Sequence, residues 1–278
     1  MDQGSLRLPG FLIIGAQKSG TTSLARALAA NPDVHVPAAK EAHYFGEVDD
    51  AALDAAAYAM FFADGGDERI VGEATPEYLA LPEAASQIHR LLPEVRCIAI
   101  VRNPVDRAWS HYWHRRREAG LQASFEEALA EEEALRRSGT PTPLGYVDRG
   151  RYAEQIERFL DAGFARDQLL VLVFDDLIAD PEGQVARAEV FIGAAPSGGS
   201  LPHANRSTRS VLPATLRAGL ERRAPRSRLV RRVVGASHRA RVTEEMDPRT
   251  RARLVEEFRE PNAALGRLLG RDLSGWDR

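Results

Sequence analysis

Between Gly15 and Thr22 the chain reads Gly-Ala-Gln-Lys-Ser-Gly-Thr-Thr, a glycine-bearing turn with a lysine inside it. Glycines there let backbone N–H groups wrap a phosphate, a following helix N-terminus adds positive potential, and Lys18 brings a full charge. In the usual nucleoside-triphosphate loop the lysine directly follows the second glycine. Here Thr21 holds that place and Lys18 lies three residues earlier. The triphosphate loop also relies on magnesium held by an acid at the end of a neighbouring strand. The best candidate for that strand, Arg96 to Val101, is followed by Arg102, a cation. A site that offers arginine where a metal-binding acid would sit is built to bind phosphate directly, so no metal is expected.

The elements that must hold these groups alternate between strand-like and helical runs, as in a parallel sheet covered on both faces. Phe11 to Gly15 is a short apolar strand, and Thr22 to Ala30 a helix with Leu24 and Leu28 on one face. Val34 to Val36 reads as a short strand, Lys40 to Phe45 as a loop, Ala51 to Ala63 as a helix and Arg69 to Glu73 as a strand. Pro82 to Leu92 is a helix, and Arg96 to Val101 a buried central strand. Pro104 fits the first turn of a helix running from Val105 to Arg117. Helices follow at Phe125 to Arg137 and Arg151 to Asp161, then a strand at Leu169 to Phe174 and a helix near Pro181 to Phe191. Gly193 to Pro202 reads as a linker, and Thr250 to Leu269 as a final amphipathic helix.

The chain's 278 residues, 44% of them hydrophobic, suffice for one sizeable core, so a single domain spanning 1–278 is expected. Residues 10–192 form its α/β nucleotide-binding core and 200–278 a helical C-terminal or lid segment. No stretch reaches the roughly 20 apolar residues of a membrane span, and no signal segment is legible, which reads as a cytoplasmic protein. The single cysteine, Cys97, lies in an apolar run and reads as core packing. A net charge of −3 hides an asymmetry: from Arg206 to Arg241 there are eleven arginines and one acid, Glu221, leaving 26 basic and 39 acidic residues elsewhere, a net of −13. A local basic cluster on an acidic protein points to an anionic ligand at that place and away from general nucleic-acid binding.

Gly15 to Thr22 resembles the 5′-phosphosulfate loop of sulfotransferases that use 3′-phosphoadenosine 5′-phosphosulfate (PAPS), and Val101-Arg102-Asn103-Pro104 through Ser110 resembles their 3′-phosphate motif. The likeness continues through Lys40-Glu41-Ala42-His43-Tyr44-Phe45, Gly72 to Tyr78, Gly150-Arg151-Tyr152 and Leu169 to Pro181, with a weaker echo in Asp247-Pro248 and Glu260-Pro261-Asn262. It is closest in pattern to the heparan-sulfate-type branch, as a bacterial small-molecule or carbohydrate enzyme. The resemblance implies a P-loop-type three-layer α/β fold, a central parallel sheet flanked by helices, with a helical arginine-rich C-terminal segment.

That family likeness implies a role for each matching residue. Lys18 would meet the charge building on the departing phosphate oxygen. Ser19, Gly20, Thr21 and Thr22 would hold the 5′-phosphosulfate. Arg102 and Ser110 would bind the 3′-phosphate, with a surface pair to Asp106 as the plainer use of Arg102. Ser110 follows Pro104 by under two helical turns, so its hydroxyl can return toward the strand end. The heparan-type base matches Glu41, His43 is the reserve used by other branches, and Glu73 is a further carboxylate. The implied reaction moves a sulfuryl group from PAPS, leaving adenosine 3′,5′-bisphosphate, to a hydroxyl or amine of a small-molecule or carbohydrate acceptor. A P-loop kinase and a non-catalytic anion-binding module stand as alternatives, and oligomerisation is left open.

The chain also departs from that pattern. Ala74 stands where heparan-type enzymes commonly carry a lysine that contacts an anionic sugar chain, which argues against a heavily sulfated acceptor. The Lys-Gly-Arg-like lid turn of those relatives has no recognisable match; Arg239 or Arg241 is expected to take its place at the nucleotide, and Arg206 is a further basic residue of that stretch. Trp109, Tyr112, Trp113 and Tyr78 would line either an aromatic acceptor pocket or the core.

Overall fold

The computed structural model describes residues 6–46, 48–201, 208–209, 240–241 and 244–278. Phe11–Gly15 (β1) is buried at every position and is the middle strand of a five-stranded sheet. On one side of it lie β3 (Ile70–Glu73) and then β2 (Val34–His35), and on the other β4 (Arg96–Val101) and then β5 (Leu169–Val173). Every pairing in this sheet is parallel. The helices in chain order are α1 (Thr21–Leu28), α2 (Ala55–Ala59), α3 (Ala84–Leu91), α4 (Pro104–Glu118) and α5 (Phe125–Arg137), then α6 (Tyr152–Asp161), α7 (Phe174–Ala179), α8 (Pro181–Ile192) and α9 (Pro248–Leu269).

Strand periodicity sends successive side chains to opposite faces, and the two faces have separate cores. Leu12, Ile14, Cys97, Ala99 and Val101 pack with Tyr78, Tyr152 and Phe159 on one side. Phe11, Ile13, Ile98 and Ile100 pack with Leu24, Leu28 and Val185 on the other. Burial pushes the free Cys97 thiol up out of the reactive range, in keeping with a packing role. A third cluster joins α4, α5 and α9 through Tyr112, Trp113, Phe125 and Phe258.

Several elements differ from the sequence reading. The strand Arg96–Val101 is buried from Cys97 onward and interior to the sheet, but β1 takes the middle and β4 lies between β1 and β5. The expected helix from Ala51 to Ala63 is broken into a 3-10 turn (Asp50–Ala52), α2 and a second 3-10 turn (Met60–Phe62), because the Asp54 carboxylate caps Ala56 and Ala57 and restarts the helix at Ala55. Phe174 leaves the strand and begins α7, whose first turn holds Asp175 and Asp176, a favourable place for acids. α9 runs through Pro261 without stopping. In the arginine-rich stretch, Thr208–Arg209 and Ala240–Arg241 form a short antiparallel ladder where helix was expected. No helix among the described residues is long and apolar enough to cross a membrane.

Candidate active site

The C-terminal ends of β1, β2, β3 and β4 release loops that meet, as ligand sites of open parallel sheets do. The first is the turn between β1 and α1. Lys18 and Gly20 both take left-handed backbone angles, φ 71° and 97°, and Gly20 caps α1 with no side chain of its own. The first N–H groups of the helix therefore face the turn without an intrahelical acceptor. Ser19 is wholly buried and its Oγ has no hydrogen-bond partner, and Thr21 is buried with it. A non-glycine residue at positive φ costs on the order of 1–3 kcal/mol and persists where surrounding contacts over-determine it.

Those contacts are on either flank of the turn. The guanidinium of Arg102, just past β4, donates to the Lys18 carbonyl at 3.1 Å and lies over the Phe174 ring at 4.8 Å. Asp106 does not take Arg102; it pairs with Arg251 at 3.0 Å. On the other flank the Gln17 amide donates to Glu77 Oε1 at 2.9 Å and accepts from Arg149, which also lies 3.7 Å from Glu77. Burial brings the Arg149 guanidinium down to about 10. Lys18 itself is brought down to about 8, first by burial and then by the neighbouring charges of Arg117 and Arg102. A crowded cation of this kind gains most when an anion arrives beside it.

α4 begins at the same place. Asn103 caps it through Val105 and Asp106, Pro104 occupies its first turn, and Ser110 is buried two turns along. His114 and Arg117 follow Ser110 at helical spacings of four and seven, on one stripe. His114 is held near pKa 4 by burial and by Lys18, while Glu118 and Glu41 pull the other way, so its imidazole is neutral beside both Lys18 and Glu41. His114 and Arg117 had not been singled out from the sequence, although their spacing from Ser110 on a predicted helix carried the signal.

The loop after β2 carries Lys40, Glu41 and His43. Glu41 pairs with Lys40 on one oxygen and with His43 Nε2 on the other at 3.2 Å. Lys40 and His43 both have positive φ, 64° and 49°. A buried bracket enforces this shape. Glu73, at the end of β3 and fully enclosed, accepts from the Tyr58 and Tyr78 hydroxyls at 2.7 and 2.9 Å, from Thr75 Oγ1 at 2.5 Å and from the Ala42 N–H at 3.0 Å. Thr75 Oγ1 also receives the Ala42 N–H, Tyr78 the Tyr44 N–H, and the Lys40 carbonyl the Ala74 N–H. With both oxygens occupied and burial raising its pKa, Glu73 serves as the anchor of this loop and not as its base.

Other expectations are placed or displaced. Ala74 is fully buried in the core, so its methyl group contributes nothing to the cleft. Tyr78, Tyr112 and Trp113 are core residues, with Trp109 stacked on Tyr112 and edge-on to Phe125. Arg206 and Arg239 lie outside the described residues, and Arg241 is described only as a strand position. Among the described residues Glu41, His43 and Glu77 each bring a potential ligand atom within 4.8 Å of the others. Each of the three already has a protein partner, in Lys40, Glu41 and Gln17 respectively.

Residues 8–209 match the model of the sulfotransferase domain. The chain is 34% identical over 190 residues to heparan sulfate glucosamine 3-O-sulfotransferase 6 of Mus musculus, a match covering 68% of this chain and 54% of that protein. It is 32% identical over 194 residues to heparan sulfate glucosamine 3-O-sulfotransferase 3A1 of Homo sapiens, covering 69% and 46%. The chain thus spans about half the length of the curated relatives it matches. The crystal structure of a sulfotransferase from Alicyclobacillus acidocaldarius aligns with a TM-score of 0.74 at 31% identity, covering 98% of this chain and 100% of that one.

Proposed function

The chain belongs to the sulfotransferase domain family, and on that premise we propose that it moves a sulfuryl group from PAPS to a hydroxyl or amine of a carbohydrate or small-molecule acceptor. One observation carries the reading: across the ends of two adjacent strands the Arg102 guanidinium donates to the Lys18 backbone carbonyl at 3.1 Å, and its charge is near enough to the Lys18 ammonium to lower that group's pKa, as suits two separated anionic groups of one ligand. The residues fit the nucleotide by their chemistry. The turn Lys18 to Thr22, with the unpartnered Ser19 hydroxyl, suits the 5′-phosphosulfate, and Arg102 with Ser110 suits the 3′-phosphate.

In this reading the acceptor oxygen attacks sulfur in line, the bond from sulfur to the bridging phosphate oxygen breaks, and adenosine 3′,5′-bisphosphate leaves. Glu41 takes the acceptor's proton, oriented by Lys40 and His43. Lys18 meets the charge that grows on the leaving oxygen, an interaction worth more in the transition state than before it. The cation at the end of β4 stands where an ATP-type site holds a magnesium ligand, so the transfer is assigned to protein groups without a metal. The names of the curated relatives specify heparan sulfate glucosamine; for this chain the buried Ala74 favours a less anionic acceptor. We place the enzyme in the cytoplasm, with residues 10–192 as its nucleotide-binding core.

The test is incubation of the purified chain with PAPS and a panel of sugars, phenols and amines, followed by mass analysis for an added sulfuryl group. Transfer to at least one acceptor, with adenosine 3′,5′-bisphosphate raising Tm and ATP with magnesium leaving it unchanged, is the expected result. Stabilisation by ATP with magnesium alone would move the chain to the kinase reading.

A further inference from the structure

Trp276, 174 residues away from Arg102 in sequence, lies in a 3-10 turn (Ser274–Trp276) that follows α9. Its side chain is buried in the core on the β1–β4 face, where Leu273 accompanies it. Three polar contacts leave this turn and its flanks toward the nucleotide end of the sheet. The indole N–H donates to Asp175 Oδ2 at 2.9 Å. The Trp276 carbonyl accepts from the side-chain amide of Asn103 at 3.2 Å. Five residues earlier Arg271 makes a two-pronged pair with Asp176, one arm at 2.7 Å, in which the guanidinium and the carboxylate hold each other charged.

Of the residues gripped, Asn103 adjoins Arg102 itself and Asp175 adjoins Phe174, whose ring supports it. Asn103 follows it in the chain and caps α4, so the direction in which the Arg102 side chain leaves β4 depends on where Asn103 is held. Asp175 follows Phe174, whose ring lies under the Arg102 guanidinium at 4.8 Å and also faces Gly20, where an added Cβ would meet the ring at 3.4 Å. The turn thus reaches the guanidinium from both sides, through the backbone that launches it and the aromatic face that supports it. Asn262, within α9, adds a tie to Asp277 at 2.9 Å, which fixes the turn to the helix.

We propose that Trp276 is a positioning residue for Arg102, and that the turn 274–276, with Asp175 and Asn103, sets how strongly the protein prefers a nucleotide carrying a 3′-phosphate. A flexible arginine pays rotamer entropy to meet an anion, and one already held against a ring and a carbonyl pays less. The proposal rests on the reading of Arg102 as the 3′-phosphate ligand, and the experiment separates the two.

The measurement is calorimetric affinity for adenosine 3′,5′-bisphosphate and for adenosine 5′-monophosphate, in the wild type, Trp276→Phe, Asp175→Asn and Asp175→Leu, with Tm recorded for each. Trp276→Phe keeps an aromatic ring in the core and removes only the indole donor. The preference for the bisphosphate is expected to drop about tenfold in Trp276→Phe and Asp175→Leu, the value of one well-placed charge-assisted contact, with monophosphate affinity held. Asp175→Asn retains an acceptor oxygen for the indole and is expected to keep most of the preference. A wild type that does not discriminate the two nucleotides would remove the functional reading itself. A discriminating wild type whose preference survives in both Trp276→Phe and Asp175→Leu, or variants that weaken both nucleotides equally, would overturn the positioning role while leaving that reading intact.

Discussion

The carboxylate of Glu73 accepts a hydrogen bond from the backbone N–H of Ala42 at 3.0 Å, one residue beyond Glu41. Glu73 sits on the rigid end of β3, so the loop that carries Glu41 is pegged to the sheet and not left to its own preferences. The same carboxylate gathers three hydroxyl donors, and the left-handed backbone at Lys40 and His43 is the cost that this bracket offsets.

Glu73→Gln exchanges an acceptor-only group for an amide whose NH2 faces buried donors. At least one of Tyr58, Tyr78, Thr75 or the Ala42 N–H loses its acceptor, which costs about 1–3 kcal/mol of folding free energy. Chemical denaturation checks this, and an unchanged midpoint would contradict the anchoring role.

Glu41→Gln is expected to keep nucleotide affinity and to lower turnover by roughly 10²–10⁴-fold, the usual worth of a positioned base. Isothermal titration and a transfer assay report the two quantities separately. Full turnover in this variant would move the base assignment away from Glu41, with His43 next in line.

Much of this was legible in the residues. The apolar run Phe11 to Gly15 and the buried run that precedes Arg102 were readable as strands, and the structure makes them neighbours in one sheet and ties Arg102 to the Lys18 carbonyl. The tie from Glu73 to Ala42 and the bracket of Gln17 with Glu77 and Arg149 were less legible, because they join residues 31 to 132 positions apart and only tertiary structure brings them into contact. The middle position of β1 also lay beyond periodicity, since a buried strand looks the same beside an edge strand as in the centre of a sheet. The break in the alanine-rich helix was in principle readable from Asp54, whose side chain competes with the helix and restarts it.

Gln17→Leu tests the bracket between the phosphate turn and the Arg149 side. The substitution leaves Glu77 and Arg149 without their shared amide in a largely buried place, and a loss of about 1–3 kcal/mol is expected together with weaker nucleotide binding. Thermal unfolding with and without adenosine 3′,5′-bisphosphate measures both; retention of both would show that the bracket does not shape the turn.

Lys18 sets a pH dependence whose sign can be worked out. Its folded-state pKa near 8 lies below the ordinary 10.5, so the ligand-free ammonium starts to lose its proton around pH 8. Nucleotide affinity is therefore expected to be level between that point and the second ionisation of the ligand's phosphates at about pH 6, and to fall as pH rises through about 8, with proton uptake on binding in the window above. Ligand-free stability moves the other way: between about 8 and 10.5 the unfolded chain holds more protons, so stability rises with pH. Lys18→Met should raise Tm at pH 7 and cost transfer activity, and it should flatten both pH trends. Trends that persist in Lys18→Met belong to another group.

The central claim is that Lys18 and Arg102 hold the two anionic ends of one nucleotide, and a crystal structure with adenosine 3′,5′-bisphosphate tests it most directly. The account predicts the 5′-phosphate in the turn Lys18 to Thr22 and the 3′-phosphate on Arg102 and Ser110. Density for the nucleotide at any other place, or with either phosphate out of reach of its assigned cation, would contradict it.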